Sequence, residues 1–226
     1  MAQPLEFVTQ TQRSAPQLQQ GGSATQPHHP FLDDGPKRSP WVKIVVAISI
    51  GLVLLAVVAT LPTDSLPFIG GTKQITSDDG AIGLTIPGGW AERADLNPVQ
   101  TLGAANILEE KYVIVIVDMK ASLPPGTTLE EAAQATKNLM FANASNPQVV
   151  KTSPPGVAVA GYPAVETVVN AVVSGVDAAY IQTMLDAGDR YVQVIVWTLR
   201  TRFDENEAEL RSVISSLTVD PSVTGS

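Results

Sequence analysis

The sequence predicts an α+β domain, an antiparallel sheet of about six or seven strands between helices (an α/β/α sandwich), preceded by one transmembrane helix and a disordered tail. Three observations predict it. Several runs rich in β-branched residues are separated by turn residues at hairpin spacing. Two of these runs, Tyr112–Met119 (YVIVIVDM) and Tyr191–Leu199 (YVQVIVWTL), are apolar at successive positions, as strands covered on both faces are. Two further segments carry helical periodicity behind capping signatures, one helix for each covering layer.

The elements follow in order. Residues 1–40 are rich in glutamine and proline and have no helical or strand period, so they read as a disordered cytoplasmic tail. Within the tail, the apolar-acidic Pro30–Asp34 and the pair His28-His29 read as incidental features of a solvated linker. From Ile44 to Leu61 the chain runs for 18 residues without a charge. A bilayer core of roughly 30 Å needs about 20 helical residues, so residues 41–61 are expected to span it. Lys37, Arg38 and Lys43 flank only the amino-terminal side, which predicts a cytoplasmic tail and a domain outside the cell membrane. Trp41 and Lys43 are the candidate anchors at the membrane interface. More than 40 residues precede the apolar run, which favours a retained anchor over a cleaved signal peptide.

Residues 62–76 read as a tether and residues 77–220 as the extracytoplasmic domain, with residues 221–226 a disordered end. Ile82–Ile86 alternates as a strand and stops at Pro87-Gly88-Gly89, with Trp90 following. Strands are expected at Ala104–Leu108 and Tyr112–Met119, with Glu109-Glu110-Lys111 between them. After Pro124-Pro125-Gly126, Thr128 and Glu131 form a capping box, and Leu129, Ala132, Ala133, Leu139 and Met140 supply the apolar stripe of a helix. Val149–Thr152 and Val157–Val159 bracket a second Pro-Pro-Gly turn. A meander of Ala164–Val173, Ala178–Asp186 and Arg190–Leu199 follows. The last helix is expected to open at Asp204 with Glu207 three residues on. Leu210, Val213, Ile214 and Leu217 form its buried stripe.

Composition narrows function. Residues 62–226 carry 10 basic and 19 acidic side chains, a net −9, which opposes nucleic acid and anionic lipid as partners of this domain. The chain has no cysteine, and its two histidines lie at His28 and His29. Thiol nucleophiles, Ser-His-Asp triads and the usual zinc sites are therefore excluded from the outer domain. Lys120 and Ser122 are the one formal serine-lysine pair, and Asp78-Asp79-Gly80 lacks the alternating oxygen ligands of a calcium loop. Glu109-Glu110 and Glu130-Glu131 fall at a turn and a helix start rather than across a cleft. No cofactor pattern is present in the sequence. Trp90 and Trp197 are the candidate ligand or partner surface, although large aromatics more often fill cores. Asn143-Ala144-Ser145 is a glycosylation sequon.

The element order resembles that of the Mog1/PsbP-like superfamily, including the mycobacterial LpqN-type exported proteins. The likeness covers roughly residues 74–220. It rests on the strand-turn Gly83-Leu84-Thr85-Ile86-Pro87-Gly88-Gly89-Trp90, the capped helix at Thr128, and Gly161-Tyr162-Pro163-Ala164 leading into three long strands. It ends on the helix Asp204–Ser216, which runs into Ser216-Leu217-Thr218-Val219. The resemblance implies a non-catalytic binding or assembly factor. Unlike the lipoprotein members, this chain has no cysteine to lipidate and carries an apolar segment in its place. The expectation is a single-pass membrane protein, held in lipid through residues 41–61, whose outer domain serves another membrane or envelope protein complex. The alternative is a carrier of a small molecule, lipid or glycan.

Overall fold

The computed structural model describes residues 70–222. The expected tail, the transmembrane segment 41–61 with Trp41 and Lys43, and most of the tether lie outside the described residues. Among those described, no helix is long and apolar enough to cross a membrane.

The domain is α+β, with one large sheet, one small sheet and two helices. The strands are β1 (Thr72–Thr76), β2 (Ile82–Pro87), β3 (Ala91–Glu92), β4 (Leu102–Asn106) and β5 (Lys111–Met119). Helix α1 (Leu129–Met140) follows. Next come β6 (Ser145–Thr152), β7 (Ala158–Val159), β8 (Tyr162–Val173), β9 (Val176–Asp186) and β10 (Arg190–Leu199). Helix α2 (Phe203–Ser215) and β11 (Thr218–Val219) close the domain. The large sheet runs β3-β4-β5-β10-β9-β8-β6, with β7 paired to β8 off that path. Every pairing among the described strands is antiparallel.

The central strands are buried on both faces, as their apolar runs predict. Val113, Val115, Val192, Val194, Val196 and Ile181 share one cluster with Leu210, Val213 and Ile214 of α2. The alternate residues Ile114, Ile116, Ile195, Tyr180 and Val169 share another with Met140 and Phe141 at the end of α1. Each strand therefore buries one parity against each helix.

Helix α1 starts as its sequence requires. The Glu131 amide donates to Thr128 Oγ1 at 3.2 Å, and the Thr128 amide donates to Glu131 Oε2 at 2.9 Å. Thr136 joins the buried stripe, where its hydroxyl donates to the Ala132 carbonyl at 3.0 Å. Thr128→Ala is expected to cost about 1 kcal/mol, since the Glu131 amide loses its hydroxyl acceptor while the backbone amide at 128 still donates to Glu131. A fall in the urea midpoint with an unchanged slope checks it.

Three expectations need correction. Thr72–Thr76, read as the end of the tether, is a strand. Ile82–Pro87 does not enter the large sheet but sits in a three-stranded one of order β1-β2-β11 on the α2 side. Only Ile75 of β1 is buried, so its alternation was not readable. The third correction concerns α2. It begins at Phe203, continuing directly from a 3-10 turn at Arg200–Arg202, and the side chain of its N-cap Arg202 does not cap the helix. Glu207 therefore does not close a box with Asp204; it accepts from Arg211 Nε at 2.8 Å.

Candidate functional site

The two candidate tryptophans lie in different clusters, packed on opposite faces of the large sheet. They do not line one groove. Trp90 follows the Pro87-Gly88-Gly89 turn and is fully buried against the α2 cluster. Its Nε1 donates to Glu209 Oε1 of α2 at 2.7 Å. Lys111, at the first position of β5, donates to Glu209 Oε2 at 2.6 Å and also pairs with Glu109. The Lys111 side chain is only 4% exposed. Burial opposes its charge, but the bonds to Glu109 and Glu209 outweigh that and hold its ammonium above the ordinary lysine range. Glu109 is held below the ordinary carboxylate range, first by the hydrogen bond from Lys111 and then by its charge. This chain of contacts fastens the strand-ending turn, β5 and α2 together.

Trp197 occupies the other face, near the end of β10. The register sets it opposite Tyr112 of β5 and Tyr180 of β9. Its ring stacks on Tyr112 at 5.1 Å between centroids and 5° between planes, and on Tyr180 at 6.2 Å. Phe141, just past α1, meets Tyr180 edge-on at 5.2 Å. Beside these rings lies a shallow, partly open recess with room for about one water molecule, lined by Tyr112, Val173, Val176, Tyr180, Trp197 and Leu199. Glu110 and Thr198 also border it. The indole Nε1 of Trp197 is buried without a hydrogen-bond partner. Sequence reasoning found Trp197 but missed the three rings around it, because only strand register brings them together.

Burial pushes the phenols of Tyr112, Tyr180 and Tyr191 above the ordinary tyrosine range, Tyr180 most strongly. The folded state therefore keeps protons that the unfolded state releases, and stability from these groups is lost as pH rises above the ordinary tyrosine value. In an alkaline titration at 295 nm, phenolate absorbance from at least Tyr180 is expected only as the domain unfolds. Tyr112, Tyr180 and Tyr191 ionising together below the unfolding transition would contradict the packing.

The remaining polar candidates are engaged in local structure. Lys120 pairs with Asp186 at 2.5 Å and lies 4.7 Å from the Tyr191 ring centroid, so its ammonium is directed to these partners. Asp79 accepts from Ser77 Oγ at 2.6 Å and from the Ala81 amide at 3.0 Å, which shapes the turn before β2. No group of three or more His, Asp or Glu side chains suited to a metal ion occurs among the described residues. Asn143 of the sequon is exposed.

The architecture is that of the Mog1/PsbP-like fold. The chain is similar to the solution structure of cyanobacterial PsbP (CyanoP) from a Synechocystis species. The TM-score is 0.51 at 12% identity, covering 73% of this chain and 100% of that one. It is also similar to LpqN of Mycobacterium tuberculosis, a protein involved in cell envelope biogenesis. There the TM-score is 0.47 at 11% identity, over 67% of this chain and 91% of that one. For the Ran-binding protein Mog1p of Saccharomyces cerevisiae the values are 0.48 and 12%, over 66% and 96%. Identities this low speak to fold alone. No protein-family model and no curated protein sequence matches the chain.

Proposed function

We propose that this chain is a single-pass membrane protein with its amino terminus in the cytoplasm. Its outer domain acts without catalysis, as an accessory or assembly factor for a membrane or envelope protein complex. The observation that carries the reading is the uncharged run Ile44–Leu61, with Lys37, Arg38 and Lys43 on one side only and an acidic domain on the other. The engagement of the domain's charges with one another adds support. Lys111, Lys120, Arg190 and Arg211 each hold a carboxylate within 2.8 Å. Such pairs fasten a scaffold rather than serve a reacting group.

The test is chemical cross-linking in intact membranes, then purification in mild detergent and mass spectrometry. A stoichiometric protein partner is the expected result. Recovery of the chain alone would overturn the reading. The aromatic cluster around Trp197, whose Nε1 lacks a partner, supports a second reading, a carrier of a small molecule, lipid or glycan, for which the water-sized recess there would have to widen. That reading requires a lipid or glycan to co-purify in stoichiometric amount with the isolated chain.

A further inference from the structure

Four large apolar residues are exposed among those described: Ile107, Leu108, Val149 and Val150. They form two spots, and the spots differ in kind. Val149 and Val150 lie on β6, the outermost strand of the large sheet. That edge carries Pro147, Lys151 and two register shifts against β8, the devices that keep a sheet edge from pairing further. Ile107 and Leu108 sit instead in the 3-10 turn between β4 and β5, and Leu108 is 88% exposed. Its turn is firmly built. Asn106 caps it by accepting from the Glu109 amide, and Glu110 closes it in the left-handed region at φ 57°.

The apolar tip lies at the end of the domain where the chain enters. The Gly88 amide donates to the Gly71 carbonyl at 2.9 Å, and a Cβ at Gly88 would lie 2.8 Å from the Gly70 nitrogen. A Cβ at the next residue, Gly89, would lie 3.0 Å from Asn106 Nδ2, the cap of the apolar turn. The Trp197 recess opens at this same end of the strands, bordered by Glu110. Eight residues, 62–69, separate Gly70 from the end of the uncharged run, a reach of at most about 32 Å. Gly70 therefore stays within that reach of whatever holds residues 44–61, with the tip and recess at the same end of the domain.

Charge selects between the occupants available there. At this end Glu109, Glu110, Asp177, Glu205 and Glu209 are paired with Lys111, Arg200 and Arg202, an excess of two acids, and the whole of residues 62–226 carries a net −9. An anionic headgroup surface is repelled, and so is a second acidic copy of the chain. On the reading proposed above, we infer that this end of the sheet is the docking face for a neighbouring membrane protein. The partner surface has an apolar pocket for Leu108 and a basic rim opposite the acidic one.

The test uses the full chain in its own membranes, with the photo-cross-linker p-benzoylphenylalanine placed at Leu108 and, in a second chain, at Val150. Both positions are exposed, so neither substitution disturbs the core. The expected result is an adduct from position 108, and not from 150, to one membrane protein. Its cross-linked peptide should have lysine or arginine beside apolar residues. Glu110→Lys combined with Glu205→Lys should reduce that adduct at least tenfold. Lipid adducts at 108, adducts to a second copy, an adduct insensitive to charge reversal, or none would each overturn the inference. A protein adduct from 150 alone overturns the surface while leaving the accessory reading standing. No protein adduct from either position, with no partner in the chemical cross-linking above, overturns both.

Discussion

Replacing Trp90 by alanine is expected to destabilise the domain by about 3–5 kcal/mol, the cost of emptying a large aromatic site in a closed core. Trp90 is fully buried and shares its cluster with Leu84, Ile86, Val115, Val194 and Leu210, which come from both sheets and α2. Those elements cannot collapse into the space without shifting the small sheet against the large one. Domains of this size hold about 5–15 kcal/mol in all, so the variant loses a large share of its stability. The melting temperature should fall by roughly 10 °C or more. Trp90→Phe separates two contributions, since it keeps most of the ring volume but removes the donor to Glu209. Its cost is expected at about 1–2 kcal/mol. Urea unfolding followed by near-UV circular dichroism measures both. A loss below about 1 kcal/mol for alanine would mean that Trp90 is a surface lid and not a part of the core.

What the sequence made legible was governed by how local the information was. The central strands were readable because YVIVIVDM and YVQVIVWTL declare burial on both faces. Helix α1 was readable because Thr128 and Glu131 are three residues apart and satisfy each other. The small sheet was not. β2 pairs with β11 through Gly83 and Thr218, and β1 exposes four of its five residues. No short window carries that pairing. The tryptophans illustrate the same limit in the candidate site. Their assignment to opposite faces depends on the turn before β3 and on strand register, neither of which the residue type reveals. Lys111 read as a turn residue, yet it is among the most buried charges described, because Glu209 lies 98 positions away. Leu108 read as the end of a strand. It stands outside the sheet because the chain tightens into a 3-10 turn after Asn106.

Lys111→Met is expected to cost about 2–3 kcal/mol at neutral pH. Breaking a buried pair by removing one partner costs about 3–5 kcal/mol, because a charge is left without its counterpart. Here the carboxylates left behind, Glu209 and Glu109, are 34% and 50% exposed in their side chains, so water recovers part of that loss. Methionine keeps the length of the stem and isolates the charge. The pH dependence gives the sharper signature. Glu109 has a folded pKa below its unfolded value, so its contribution is present above the unfolded carboxylate range and is lost as pH falls through the folded pKa. Lys111 has a folded pKa above its unfolded value, so its contribution is complete below the unfolded lysine range and is lost as pH rises through the folded pKa. The wild-type chain should therefore lose stability at both extremes, and Lys111→Met should flatten both limbs. A double-mutant cycle with Trp90→Phe should give a coupling of about 0.5–1 kcal/mol, since both side chains donate to Glu209. Additive effects, or a variant with the wild-type pH profile, would mean that the ion pair is incidental and that the turn, β5 and α2 are joined by apolar packing alone.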